Sequence, residues 1–336
     1  MRAMVVKRYG PPEVFEWREV PDPQPKPGQA LVRVKAVGIN FADLLARLGV
    51  YSNTPKAPFI PGLELAGTVE SDPSGRFQPG ARVTLLTFFH AYAERIAVNP
   101  EQLFAIPDAM PFEDAAAIPV NYLTAYHSMF EMGNLRKGDR VLITSAAGGV
   151  GVAAVQLARA RGLVTFGTAG PTKQDFLRKI GVDHPIDYTR ENFLDVVRRV
   201  APEGIEMALD AVGGKSFDLS YRCLGPMGRL VVYGFSTAVG PNGKINYLHA
   251  GKEFLQTPRF KPLPLIDRNI AVIGVHIGKL AHKARVLGPQ LDEIFRMYQT
   301  GEVKPVIGKT FPLQEAAAAH RYIHDRKNVG KVVLLV

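Results

Sequence analysis

Apolar residues in the first third of the chain come in short stretches cut by Pro and Gly: "QALVRVKAVGI" (29–39), "LELAGTVES" (63–71) and "ARVTLLT" (81–87). In the first, Leu31, Arg33 and Lys35 alternate only loosely with Val32, Val34 and Ala36. The β-branched content still favours a pleated surface, so this region is expected to be mostly strand. From about residue 121 the pattern changes. "RVLITS" leads into a helical period through "GVAAVQLARARG", then come "LVTFGTAG", "KQDFLRKIG", "EMALDAVGG", a helix around Phe217 to Leu224, "GRLVVYGF" and "IAVIGVHIG". Short apolar strands in turn with helices predict a parallel sheet covered on both faces and joined by right-handed crossovers.

Beyond residue 278, a long helical stretch to Thr300 is followed by "KPVIGKTFPL", an Ala-rich helix at "QEAAAAHRYIHD" and a last strand, "GKVVLLV". These strands have no place in the alternating series. They are expected to rejoin the N-terminal β region, giving one discontinuous domain of residues 1–120 and 279–336 with an α/β domain, 121–278, inserted into it. The fold class expected is therefore α/β, a β-rich domain beside a doubly wound parallel sheet.

Composition narrows the class. With 336 residues, 46% of them hydrophobic and 21% charged, 32 Gly and 26 Pro, the chain is that of a turn-rich globular protein with room for two cores. No apolar run approaches the roughly 20 residues of a membrane helix, and the N-terminal "MRAMVVKRYGPPEVF" lacks a signal-peptide core, so a cytoplasmic protein without integral membrane association is expected. The single cysteine, Cys223, excludes an internal disulfide and any zinc site built on several thiolates. A net charge of +10 invites a nucleic-acid reading, but the basic residues are dispersed, as around a pocket for an anionic cofactor.

The candidate pocket is at "LITSAAGGVGVAAVQLARARG" (142–162), where Ala146, Ala147, Gly148, Gly149, Val150 and Gly151 match G-x-G-x-x-G with Ala in the first position. An apolar strand runs straight in and an apolar-faced helix follows. In that setting free backbone N–H groups and the helix dipole meet a pyrophosphate. An NAD site ends its second strand with an acid for the ribose 2′-hydroxyl, yet Val164 to Gln174 contains none. Small residues, including Thr168, stand there with Lys173 just beyond, so NADP(H) is the expected cofactor.

The stretches "GINFADLLARLGVY" (38–51), "PFIPGLELAGTVE" (58–70), "NYLTAYHSMFEMGNLRKGDRVLITSAAGGVG" (121–151), "GVDHPIDY" (181–188), "LGPMGRLVVYG" (224–234) and "NVGKVVLL" (328–335) occur in order along the whole chain. Together they resemble the medium-chain dehydrogenase/reductase superfamily, in particular its zinc-free quinone oxidoreductase branch, which includes zeta-crystallin, and most closely the vesicle amine transport protein subgroup. The resemblance implies a GroES-like catalytic domain, a Rossmann domain, a cofactor in the cleft between them, and a homodimer joined through the last Rossmann strand, about "NIAVIGVHI". It departs from the zinc alcohol dehydrogenases at their metal: Asn40 stands at the cysteine ligand, and Gly62, Leu63 and Glu64 at a Gly-His-Glu run. Without thiolate and imidazole a tetrahedral site cannot form, so no metal is expected.

Lacking that Lewis acid, the protein is expected to act on ready hydride acceptors, quinones or α,β-unsaturated carbonyl compounds. Asn40, Asp43 and Tyr51 are the candidates for the nicotinamide end. Asn40 suits an N-cap, and Asp43 either a cofactor-side role or the holding of the first helical turn. Tyr51 either supplies the proton that completes double-bond reduction or walls the pocket. Thr124 is placed by the resemblance near nicotinamide or pyrophosphate, and Tyr188 beside the adenine ribose. Gly234 and Phe235 end a Rossmann strand, and His276 follows another strand end. Arg326 and Asn328 reach in from the other domain or form a solvated turn. The segment 242–269 reads as a binding lid or a membrane- or partner-contacting loop. Two rival functions stay open: a cofactor-binding interaction protein with little turnover, and RNA binding of the zeta-crystallin kind.

Overall fold

Six strands, all parallel, form one of two frameworks in the computed structural model, which describes residues 1–238 and 247–336. Their order across the sheet is His184–Asp187, Val164–Ala169, Arg140–Ile143, Ile205–Asp210, Leu224–Val232 and Ala271–Gly274. Chain order therefore reverses direction at Arg140–Ile143, the switch point at which such sheets open a crevice for ligands. Arg140–Ile143 is buried over its last three residues because helices cover both faces. The helix Gly149–Ala160 contributes Val152, Ala153, Ala154, Val155, Leu157 and Ala158 to that cover.

The second framework is a seven-stranded sheet running Ile307–Pro312, Lys331–Leu335, Ala30–Ile39, Glu64–Ser71, Arg82–Leu86 and Leu103–Ala105, with Arg95–Val98 also paired to Ala30–Ile39. Lys331–Leu335 lies antiparallel to Ala30–Ile39, so the last strand does rejoin the N-terminal β region. A further hairpin, Arg2–Val6 with Phe15–Glu19, went unread in the sequence. The GroES-like β-rich sheet and the Rossmann sheet are thus both present.

One apolar cluster runs from Ala66 and Leu86 through Ile118 and Leu123 to Val141 and Val155, so the two frameworks share a continuous core. The helical stretch after residue 278 is a short turn, Ile277–Leu280, and then the helix Ala284–Gln299. In the segment 242–269, residues 242–246 lie outside the described residues; the remainder contains the helices Tyr247–Gln256 and Pro262–Arg268.

Candidate active site

The strand Arg140–Ile143 delivers the chain into a tight turn, and Gly148 caps the helix that begins at Gly149. The first amides of a helix have no carbonyl within it to bond, so Gly149, Val150 and Gly151 present donors to the cleft. A side chain at Gly149 would meet Asn121 Nδ2 at 2.3 Å, and one at Gly151 would meet Ser145 O at 2.5 Å. Ala146, in place of the first glycine, is fully buried, and its amide donates to Thr168 O at 2.9 Å. Its methyl fits because residue 167 on the adjacent strand is glycine: a Cβ there would come within 3.0 Å of Ala146 Cβ. The missing glycine is compensated across the sheet.

The C-terminal segment closes over this loop. Gly330 N donates to Ala147 O at 2.8 Å, and Lys173 Nζ donates to Asn328 O at 2.6 Å. Burial, and then the neighbouring Arg326 guanidinium, lower the Lys173 pKa from its ordinary value. Neither cation has a carboxylate partner among the described residues. Tyr188 lies alongside, its hydroxyl 3.5 Å from where a Gly170 side chain would begin. Lys173, Arg326 and Asn328 therefore meet, with Tyr188 beside Gly170 and Thr168 against the glycine loop, its Oγ1 accepting from Ser145 N at 3.3 Å.

In the β-rich framework, Asn40 caps the helix Phe41–Arg47, and its backbone N–H donates to Asp43 Oδ2 at 2.7 Å. The Asn40 side chain is committed inward. Its Nδ2 donates to Glu64 Oε1 at 2.7 Å and its Oδ1 accepts from Lys331 Nζ at 2.6 Å. Lys331 also pairs with Glu64, whose other oxygen accepts from Val120 N at 2.7 Å. Asp43 is fully buried with Oδ1 unpartnered, and burial pushes its carboxyl up to about 7.

Tyr51 follows this helix and reaches the other framework: its ring lies 5.5 Å from that of His276, whose Nε2 is 3.3 Å from Ser52 Oγ. Burial, with the Asp43 charge adding to it, raises the Tyr51 pKa above its ordinary value. Burial lowers that of His276. Thr124 is buried in the helix Pro119–Tyr126. Gly234 is exposed, while the Phe235 ring packs on Gly213 and lies 6.1 Å from Phe217. An open recess of about 710 Å³ between Tyr126, Phe130, Lys137 and Arg161 is elsewhere, at the opposite end of the parallel strands, and holds none of these residues.

Comparison with known proteins agrees with this geometry. Residues 26–108 match the alcohol dehydrogenase GroES-like domain, and residues 180–334 match the zinc-binding dehydrogenase family. The human synaptic vesicle membrane protein VAT-1 homolog is 38% identical over 341 residues, covering 100% of this chain and 86% of that protein. The chain belongs to the medium-chain dehydrogenase/reductase superfamily. Two solved members of the superfamily share its architecture over 100% of the chain. The human VAT-1 homolog-like protein has a TM-score of 0.86 at 32% identity, covering 98% of that protein. The quinone oxidoreductase of Thermus thermophilus, solved also in complex with NADPH, has a TM-score of 0.81 at 34% identity, covering 100% of it. The superfamily's zinc does not fit this site: Asn40 and Leu63 are not ligands of the required kind, and the Lys331 ammonium is bonded to Asn40. Among the described residues no group of three or more His, Cys, Asp or Glu is placed to hold a metal. No helix among them is long and apolar enough to cross a membrane.

Two participants escaped sequence reasoning. Lys331 opens an apolar strand, where a lysine at 3% exposure demands a buried partner; that mismatch was the available signal. Gly167 was lost in a run of small residues.

Proposed function

We propose that the protein is a zinc-independent, NADPH-dependent oxidoreductase that delivers hydride to quinones or to alkenes conjugated with a carbonyl. One observation carries the cofactor half: Lys173 and Arg326 stand side by side without a carboxylate where the acid of an NAD site belongs. A 2′-phosphate is the anion that this pair lacks. The amides of Gly149, Val150 and Gly151 suit the pyrophosphate, with Gly148 letting the backbone come close; Tyr188 suits the adenine ribose, and Asn328 orients Lys173. Thr124, Gly234 and Phe235 border the same cleft in this reading.

Bound NADPH supplies the hydride. The chain orients the acceptor, excludes water and manages one proton. Tyr51, kept in its neutral form by burial, is the donor that completes alkene reduction, and His276 with Ser52 fixes its ring across the cleft. A quinone needs no protein acid, because its reduced oxygens take protons from water. Asn40 and Asp43 position the helix that leads to Tyr51 rather than touch the acceptor.

In the same reading, residues 1–120 and 279–336 form the catalytic domain and 121–278 the cofactor domain, acting in the cytoplasm. Two copies pair along Ala271–Gly274. Support for this pairing is that the strand is the edge of its sheet and half-exposed, a position that recruits a second chain.

The test is reduced-nicotinamide consumption by the purified protein on adding a simple para-quinone or an α,β-unsaturated ketone. Turnover dependent on either acceptor is expected. NADPH binding without turnover across such a panel replaces this reading with that of a cofactor-binding interaction protein.

A further inference from the structure

Arg47 ends the first helix of the β-rich framework and is 0% exposed. Its guanidinium carries five N–H donors and no acceptor. Among the described residues only Nη2 has a partner, His324 Nε2 at 2.6 Å, and Nε and Nη1 have none. To accept that bond the His324 ring must be neutral there, and burial followed by the Arg47 charge depresses its pKa to about 4.

One turn earlier on the same helix face, His320 is also 0% exposed. Its Nε2 is 2.9 Å from Tyr92 Oη and its Nδ1 has no partner among the described residues. With the Tyr92 hydroxyl donating, the His320 proton sits on that unpartnered Nδ1. Phe15 closes the wall, its ring edge-on to His320 at 4.8 Å.

The carboxylates around this seam offset the Arg47 charge only from a distance, and Glu13 is the one that acts on it. Glu13 is exposed and paired with Arg321; Asp325 is paired with Lys327 at 2.8 Å. A buried ion without a counter-ion is among the most destabilising features a core can hold, and arginine does not escape by losing its proton. Water would satisfy donors but not charge.

We infer that Arg47 and His320 bind a small monovalent anion of halide size in the seam between the helices Phe41–Arg47 and Ala316–His324. The anion completes the junction that ties the C-terminal helix to the helix bearing Asn40 and Asp43. It is separate from the cofactor cleft and does not depend on the redox reading.

Crystals of the full chain soaked in sodium bromide test this directly. An anomalous bromide peak within hydrogen-bond reach of Arg47 Nε or Nη1 is expected; a water alone, or no density, overturns the proposal. In solution, replacing gluconate by chloride at fixed ionic strength should raise the melting temperature with saturation, by about 2 °C at a tenfold excess over the dissociation constant. Arg47→Met should abolish that dependence while the surface control Arg178→Met keeps it. Halide dependence that persists in a folded Arg47→Met protein also overturns it; where that variant fails to fold, the wild-type bromide experiment decides.

Discussion

Lys331 and Glu64, 267 positions apart in the chain, form an ion pair with exposures of 3% and 0%. The pair joins the last strand to the strand Glu64–Ser71 and holds the Asn40 amide between them. Zinc alcohol dehydrogenases are expected to carry metal ligands at two positions of this corner; here an ammonium, a carboxylate and an amide hold it together.

Removing one partner of that pair strands the other charge in the core. Glu64→Leu or Lys331→Met should each cost about 3–5 kcal/mol, whereas the double variant should cost less than the sum. Denaturant unfolding of the four proteins gives the coupling, and strict additivity would show that the two side chains do not interact.

Asp43 introduces a pH dependence of defined sign. Its folded-state carboxyl is pushed up to about 7, above the ordinary 3.8, so between those values the native state binds more protons than the unfolded one. Stability should fall as pH rises through this window, by on the order of 4 kcal/mol in total. Asp43→Asn should flatten this part of the profile and be more stable than wild type at pH above 7, with little difference near pH 4. Unfolding free energies across the range check it, and an unchanged slope would assign the pH dependence to other groups.

Cofactor preference should follow Lys173 and Arg326. Lys173→Met is expected to raise the KM for NADPH about tenfold or more, the loss of one charge-assisted contact, and to leave that for NADH nearly unchanged. A parallel loss with both cofactors would mean that Lys173 only supports Asn328.

Tyr51→Phe separates the two acceptor classes. Alkene reduction should fall by about a hundredfold or more in kcat, in the range of general-acid contributions, while quinone reduction keeps its rate. Rates unchanged from wild type with both acceptors would reduce Tyr51 to a pocket wall.

Much of this molecule was readable from its residues. The alternation of apolar strands with helices implied the parallel sheet, because a strand buried on both faces must be apolar throughout. The glycine pattern between Ile143 and Val152 marked the cleft, since backbone approach and a helix start are local properties. The absence of an acid between Val164 and Gln174 was equally local, and it sufficed to direct attention to Lys173.

Tertiary structure alone decided which distant side chains meet. Nothing near Lys331 in the sequence announces Glu64 or Asn40, and nothing near Ala146 announces that Gly167 makes room for its methyl. Arg326 reaches Lys173 only because the chain returns to the β-rich framework after building the parallel sheet, and His276 reaches Tyr51 only because the two frameworks pack together. The physical reason is one of range: hydrophobic period, turn chemistry and helix caps act over a few residues, whereas charge compensation and close packing act through space.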